Sequence, residues 1–351
     1  MTKKLRKRGA AVTIHDVAAL AGTSMMTVSR VVNGGKNVSK AKRDLVMKAV
    51  EELNYRPNPA ARTLAAAHKS NIALVYDNPS STYLGELLLG ALSGASKAGV
   101  HVMLEPWHNI TAATERDAAA RLAANVEGVI LPSPLCESEI IMAELIAADT
   151  SVVAVGPGVF QEPMSCVRID DFRAAYEVTA YLMKLGHTRI GFITGHPAQS
   201  VTARRLEGYK AALTEAGVEI DDALIKQGSF TYQSGLEATQ SLLSSKEPPT
   251  AIFASNDDMA TAAVNVAHRR GLEVPKDLSI FGFDDLPTAV SVWPELSTVQ
   301  QPIAGMAEKA VELLMRNVYR KDDDLTIVVD HILPHRLILR DSTAAPPKKK
   351  S

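Results

Sequence analysis

"TIHDVAALAGTSMMTVSRVVN", residues 13–33, reads as two short helices around a sharp turn. Thr13 stands three residues before Asp16, a variant of the capping box, so the first helix is expected to start there and to end at Gly22. Ser24 opens a second helix that runs to about Val32, where Asn33, Gly34 and Gly35 stop it. At about 100° per residue, Val28, Val31 and Val32 share one face of that helix. Met26 and Arg30 fall on the opposite face, with Ser29 beside them, and Met25 lies at the flank, about 60° from Val28. Met25 keeps two readings, as packing for the helices or as part of an outer surface. Met26 points away from the apolar face.

Working outward, "KAKRDLVMKAVEEL" forms a third helix from Ser39 to Asn54. Pro57 and Pro59 forbid its continuation. The stretch "AARTLAA" after Pro59 is helix-prone but too short to be stable alone in water. Residues 1–70 carry 14 Lys/Arg against 4 Asp/Glu, whereas the remaining chain carries 24 against 35. A basic head on an acidic body suggests that the head meets a polyanion. The run "KKLRKR" at 3–8 is equally compatible with a solvated tail, but without it the head is still positive by 5.

From residue 72 apolar runs alternate with amphipathic stretches. "IALVYD", "HVMLEP", "GVILP" and "SVVAVG" form one series; "RIGFITG", "LIKQGSF", "TAIFASN" and "LSIFGFDD" form a second. Buried strands alternating with helices predict parallel sheets covered on both faces, and two series predict two α/β lobes. Ligands of such sheets bind beyond the carboxyl ends of the strands, which here carry Asp77, Ser133, Asp170, Asn256 and Asp284.

That polar ring holds no catalytic pattern. The chain has no Walker A loop, no G-x-S-x-G and no H-E-x-x-H, and its nine histidines are scattered. The pairs Asp257/Asp258 and Asp284/Asp285 are poor shared metal ligands, because neighbours in sequence point to different sides. No enzyme activity, metal or cofactor is expected. Two cysteines, Cys136 and Cys166, with no metal-like pairing fit a reducing cytoplasm. No signal-type segment or membrane span is visible, so a soluble cytoplasmic protein is expected.

Residues 13–65 closely resemble the DNA-binding head of the lactose/galactose-repressor (LacI/GalR) family, through "DVA.LAG.S..TVSRV.N", "VS...R..V..A...L.Y.PN" and the hinge "A..L". Residues 72–342 resemble that family's core, which is similar to periplasmic sugar-binding proteins, through "LGHTRIGFITG", "RRLEGY", "AIFASNDDMA", "LSIFGFDD" and "STVQQPI". The resemblance implies a small all-α helix-turn-helix head (12–58), a hinge helix and linker (59–71), a two-lobed effector-binding and dimerisation core with parallel sheets (72–342) and a flexible basic tail (343–351). It implies a dimeric transcription regulator, most simply a repressor that leaves a pseudo-palindromic operator when a small effector, typically a sugar, binds. Its partners would be double-stranded DNA, the effector and a second copy of itself, with no membrane.

The resemblance also implies residue roles. Met25 and Met26 are among the positions that touch bases. Met26 suits apolar contact with a thymine methyl, and Arg30 suits guanine O6/N7, although a phosphate contact is open to it as well. Thr27 and Ser29 belong to the same reading helix. Ser24, Asn33, Asn37 and Ser39 suit caps and phosphate contacts equally. Ala61 would allow two hinge helices to approach, and Leu64 would wedge between central base pairs in the minor groove. In the core, Tyr83, Arg205, Phe230, Asn256, Asp284 and Gln301 would line the effector cleft. Arg205 is expected to open a helix after "RIGFITG" and to offer its guanidinium to ligand hydroxyls. Two rival readings remain, a solute receptor with a non-functional head and an α/β enzyme acting on sugars.

Overall fold

The computed structural model describes residues 13–32, 39–53, 55, 71–78, 80–107, 111–319 and 328–347. The chain divides into two compact units, residues 1–69 and 70–351. In the first, α1 (Ile14–Leu20), α2 (Met25–Val32) and α3 (Lys40–Glu52) surround one small core. The backbone N–H and the hydroxyl of Thr13 both donate to Asp16 Oδ2, at 2.9 and 2.8 Å, which closes the capping box of α1. Gly22, at φ +61°, makes the turn. Val17, Ala18 and Ala21 from α1 and its end, Val28 and Val31 from α2, and Val46 and Ala49 from α3 fill the centre. The expected hinge falls on residues outside the described ones, except Asn71, which starts the first strand.

The second unit begins with β1 (Asn71–Tyr76), α4 (Ser81–Ala98), β2 (His101–Pro106), α5 (Ala112–Ala123), β3 (Gly128–Pro132), α6 (Glu139–Ala147), β4 (Ser151–Val155) and β5 (Ser165–Arg168). It continues through α7 (Asp171–Lys184), β6 (Ile190–Ile193), α8 (Ser200–Glu215), β7 (Ile225–Lys226), α9 (Tyr232–Leu243), β8 (Ala251–Ala254), α10 (Asp257–Arg269) and β9 (Ser279–Phe281). It ends with α11 (Pro287–Ser291), β10 (Thr298–Gln300), α12 (Ile303–Val318), β11 (Asp330–Ile332) and β12 (Arg336–Ile338). Two parallel sheets result, in the orders β11-β5-β4-β3-β1-β2 and β7-β6-β8-β9, with β10 and β12 as a separate antiparallel pair. Each sheet is one lobe. Their central strands are buried on both faces, as the continuous runs "IALV" and "AIFA" require.

The chain passes between the lobes three times, after β5, after β10 and after β11. The periodic series did not single out β5, α7 or α12. The last of these returns from the second lobe to cover the first sheet, a placement that no local pattern contains. It packs along α4, whose inner face is small: Gly90, Ala91, Gly94 and Ala95. A β-carbon on Gly90 would lie 2.0 Å from the Ala304 carbonyl oxygen, and one on Gly94 would lie 2.9 Å from Val311 Cβ. At the C-terminus, Ser342 is buried and the Ala344 carbonyl accepts hydrogen bonds from His187 and Ser279, so the segment read as a tail from 343 is tied to the second lobe at its start. Among the described residues no helix is long and apolar enough to cross a membrane.

In an open helix Gly→Ala stabilises by up to about 1 kcal/mol. Gly90→Ala should do the opposite and destabilise the core by about 2 kcal/mol, because the α4–α12 contact has no room for a methyl group. Urea unfolding of the full chain, with a lowered midpoint at unchanged slope, is the expected record.

Candidate functional site

Fourteen side chains and backbone segments from both lobes enclose a cleft of about 570 Å³, counting its open mouth. Tyr83, Arg205, Phe230, Asn256, Asp284 and Gln301, expected there from sequence, all line it. The cleft also takes in Asn78, Ser80, Ser133, Asp171, Gln199 and Val201, among others.

Arg205 is its centre. The expectation that it opens a helix is corrected: α8 starts at Ser200, and Arg205 stands in the second turn. It is also less available than expected. Its side chain is 5% exposed and that of Asp171 is 3% exposed, and Arg205 Nε donates to Asp171 Oδ1 at 2.8 Å. Arg205 Nη1 donates to the Ser255 carbonyl oxygen at 2.5 Å, and the guanidinium lies 3.6 Å from the centre of the Phe283 ring. Burial raises the Asp171 carboxyl pKa, against the lowering effect of Arg205. This pair joins α7 to α8, and removing one member would strand the other charge at a cost of roughly 3–5 kcal/mol. Only the unused N–H groups of Arg205 remain for a ligand. Asp171 was missed in the sequence because its neighbour Asp170 occupies the strand-end position. Asp170 in fact caps α7, accepting from the Arg173 N–H at 2.9 Å.

Asn256 is similarly occupied. Its Oδ1 accepts from Met259 N–H and caps α10, while its Nδ2 donates to the Phe230 carbonyl oxygen, both at 3.0 Å. That second bond holds Phe230 at φ +60°, a left-handed backbone uncommon for an aromatic residue. The ring lies over Gly195, where a β-carbon would meet Phe230 Cζ at 1.9 Å. Asp284 sits at φ +115° and is buried. Gln301 Nε2 donates to its Oδ1 at 2.5 Å. Burial pushes the Asp284 carboxyl up to about 7, although Arg205 and the Gln301 hydrogen bond pull the other way. Tyr83 lies in the first turn of α4, and burial holds its phenol protonated. Ser80 caps that helix and donates its own N–H to Asn78 Oδ1 at 2.8 Å.

Asp257, weighed from sequence as half of a metal pair, is a brace instead. Its oxygens accept from Thr298 Oγ1 at 2.7 Å and Leu286 N–H at 2.8 Å. Among the described residues no group of three metal-ligating side chains occurs. His187 is buried against Thr250, Ser279 and the Ala344 carbonyl, as a structural histidine would be.

In the head, α2 presents Met26 at 66% exposure, opposite the buried Val28 and Val31, and Met25 at 49% on the flank. Ser24 Oγ accepts from the Thr27 N–H at 3.2 Å and so caps α2, with Thr27 Oγ1 also 2.9 Å away. Ser29 and Arg30 continue the same helical backbone. Ser39 is the exposed N-cap of α3. Asn33, Asn37, Ala61 and Leu64 lie outside the described residues.

Known proteins show the same two parts. Residues 13–58 match bacterial regulatory proteins of the lacI family, and residues 179–343 match a periplasmic binding protein-like domain. Catabolite control protein A of Priestia megaterium is 36% identical over 95% of this chain and 99% of its own length. Among solved structures, a transcriptional regulator CelR–cellobiose complex is 32% identical, with a TM-score of 0.71 over 94% of this chain and 99% of that one. A lac repressor dimer bound to operator and the anti-inducer ONPF is 27% identical, with a TM-score of 0.80 over 96% and 100%.

Between the ordinary aspartate pKa of 3.8 and about 7, folded Asp284 keeps a proton that the unfolded chain releases. Its contribution to stability is therefore lost as pH rises through that window. Asp284→Asn should melt above the parent chain, by a margin that widens between about pH 5 and about pH 8. Thermal melts across that range would show it. A margin independent of pH would mean that the carboxylate is ionised throughout.

Proposed function

The chain belongs to the lacI family of bacterial regulatory proteins, and on that premise we propose that it is a homodimeric repressor whose hold on a pseudo-palindromic operator is released by a neutral sugar bound in the cleft. It is a DNA-binding transcription regulator; the ligand, the direction of its effect and the residue roles are the proposal.

The charge of the cleft carries the choice of ligand. Among the described lining residues Arg205 is the only cation, and it is already neutralised by Asp171 and faced by Asp284. A phosphate or carboxylate would enter with no cation to receive it. A polyol suits the site better. Asp284 accepts from hydroxyl groups, the amides of Asn78, Gln199 and Gln301 and the spare N–H groups of Arg205 donate, and Phe230, Ile169 and Val201 offer apolar surface to C–H faces. The cellobiose bound to the CelR relative agrees with that class of ligand. No catalytic role is proposed.

For DNA, the reading helix is α2. Met26 packs on a thymine methyl, Met25, Thr27 and Ser29 flank it, and Arg30 reads guanine. Ser24, Asn33, Asn37 and Ser39 hold phosphates, and Ala61 and Leu64 belong to a hinge that enters the minor groove. The rival receptor reading leaves the outward methionines without a use. For the dimer, Leu89 and Leu92 stand exposed on α4, on the side away from the glycine face packed on α12. A second copy would cover them.

Fluorescence anisotropy on DNA from the chain's own upstream region, with neutral mono- and disaccharides added, tests release. Binding that no sugar weakens would overturn the effector assignment. Met26→Gln should keep overall affinity within a few-fold but alter base preference at one symmetric pair of positions, by about 1–3 kcal/mol. An unchanged preference would remove Met26 from base readout. Leu89→Glu combined with Leu92→Glu should sediment as a folded monomer and lose operator affinity; a stable double-variant dimer would place the subunit contact elsewhere.

A further inference from the structure

The start of α8 is fastened across the cleft to the first lobe. Glu137, in the turn after β3, accepts from the Ser200 backbone N–H on Oε2 at 2.8 Å and from the Ser200 hydroxyl on Oε1 at 2.9 Å. The Ser133 hydroxyl donates to the same Oε1 at 2.7 Å. Ser200 Oγ in turn accepts from the Gly158 N–H at 2.8 Å. A second observation supports so close a contact. A β-carbon on Gly158 would lie 2.5 Å from both Ser200 C and Val201 N, so the two backbones touch where any side chain would hold them apart.

Glu137, Ser133 and Gly158 belong to the first lobe, and Ser200 to the second. Ser133, Gln199 and Val201 line the cleft, whereas Glu137, Ser200 and Gly158 do not. Ser200 is the first residue of α8, where a backbone N–H has no acceptor within its own helix. Glu137 supplies that acceptor, and a carboxylate at a helix N-terminus is further favoured by the helix dipole.

We propose that Glu137, Ser200 and Gly158 are positioning residues, a clasp that holds the lobes at ligand-binding width and thereby sets effector sensitivity without touching the effector. Its consequence for sensitivity rests on the cleft being the effector site. The clasp closes the lobes before a ligand arrives. Effector affinity then scales with the fraction of molecules already closed. Breaking the clasp lowers that fraction and raises the effector concentration needed, leaving the groups that touch the sugar intact.

The test uses the full-length protein and two kinds of variant. Glu137→Ala removes both carboxylate oxygens that accept from Ser200; Gly158→Ala wedges a methyl group into the contact. Without any ligand, hydrogen exchange of the parent should show protected amides at Gly158 and Ser200. Both variants should speed exchange of the Ser200 amide about tenfold or more while β3 and β6 amides keep their rates. Ser200 and Gly158 amides that exchange freely in the parent would overturn the clasp. The second arm measures operator release by cellobiose and by glucose. Each variant should raise the half-effective concentration about tenfold, with operator affinity in the absence of sugar not reduced. Glu137→Ala combined with Ser200→Ala should be no worse than the stronger single variant, since both break one device. Additive losses, or reduced operator affinity without sugar, would reassign these residues to folding. If neither sugar releases the parent, the sugar reading fails for them, while the exchange measurement still decides whether the clasp exists.

Discussion

Arg205 keeps its charge almost wholly out of water, and a charge so placed must be answered within hydrogen-bonding distance. Asp171, the Ser255 carbonyl and the face of Phe283 provide the answer, and each comes from a different part of the second lobe. The ion pair thus fixes where α7, α8 and the strand-end loops meet. It also fixes the chemistry of the cleft. With Arg205 neutralised, the described lining is left with an acceptor carboxyl, a set of amides and apolar walls. Asp284, next to this pair, feels more burial than attraction, which is why its carboxyl titrates near neutrality.

Much of the cleft is held by groups that line it and brace it together. Asn256 caps α10, holds Phe230 in a left-handed backbone and still faces the cavity. The positive φ angles at Phe230 and Asp284 persist because hydrogen bonds on either side over-determine them. Positions without side chains matter equally. Gly195 lets the Phe230 ring lie flat, Gly90 lets α12 reach α4, and Gly158 lets the lobes meet. In each case the constraint is the close approach of another chain segment.

The head works from a different balance. Seven small apolar side chains make its core, and two methionines are left exposed on a helix that buries Val28 and Val31. In the role proposed for this helix, contact with a partner surface would take these thioethers out of water. A thymine methyl is such a surface in a groove otherwise lined by polar edges.

The alternation of apolar runs and amphipathic stretches was enough to determine two α/β lobes with parallel sheets, because strands buried on both faces need continuous apolar sequence. Thr13, Asp16, Gly22 and Ser24 likewise marked the helices of the head, since caps and left-handed turns restrict residue type locally. Four cleft residues, Arg205, Asn256, Asp284 and Gln301, were legible in motifs carried in order along the chain, whereas Tyr83 and Phe230 followed only from the wider resemblance. What sequence alone left open was which side chains are already spent. Whether Arg205 is free or paired depends on Asp171, 34 residues away, and on a carbonyl 50 residues away. The return of α12 to the first lobe, the bracing role of Asp257 and the contact of Glu137 with Ser200 are also partnerships across long separations. Only the tertiary structure decides these, because a hydrogen bond or an ion pair acts over about 3 Å, and the pattern of residue types along the chain carries no such distances.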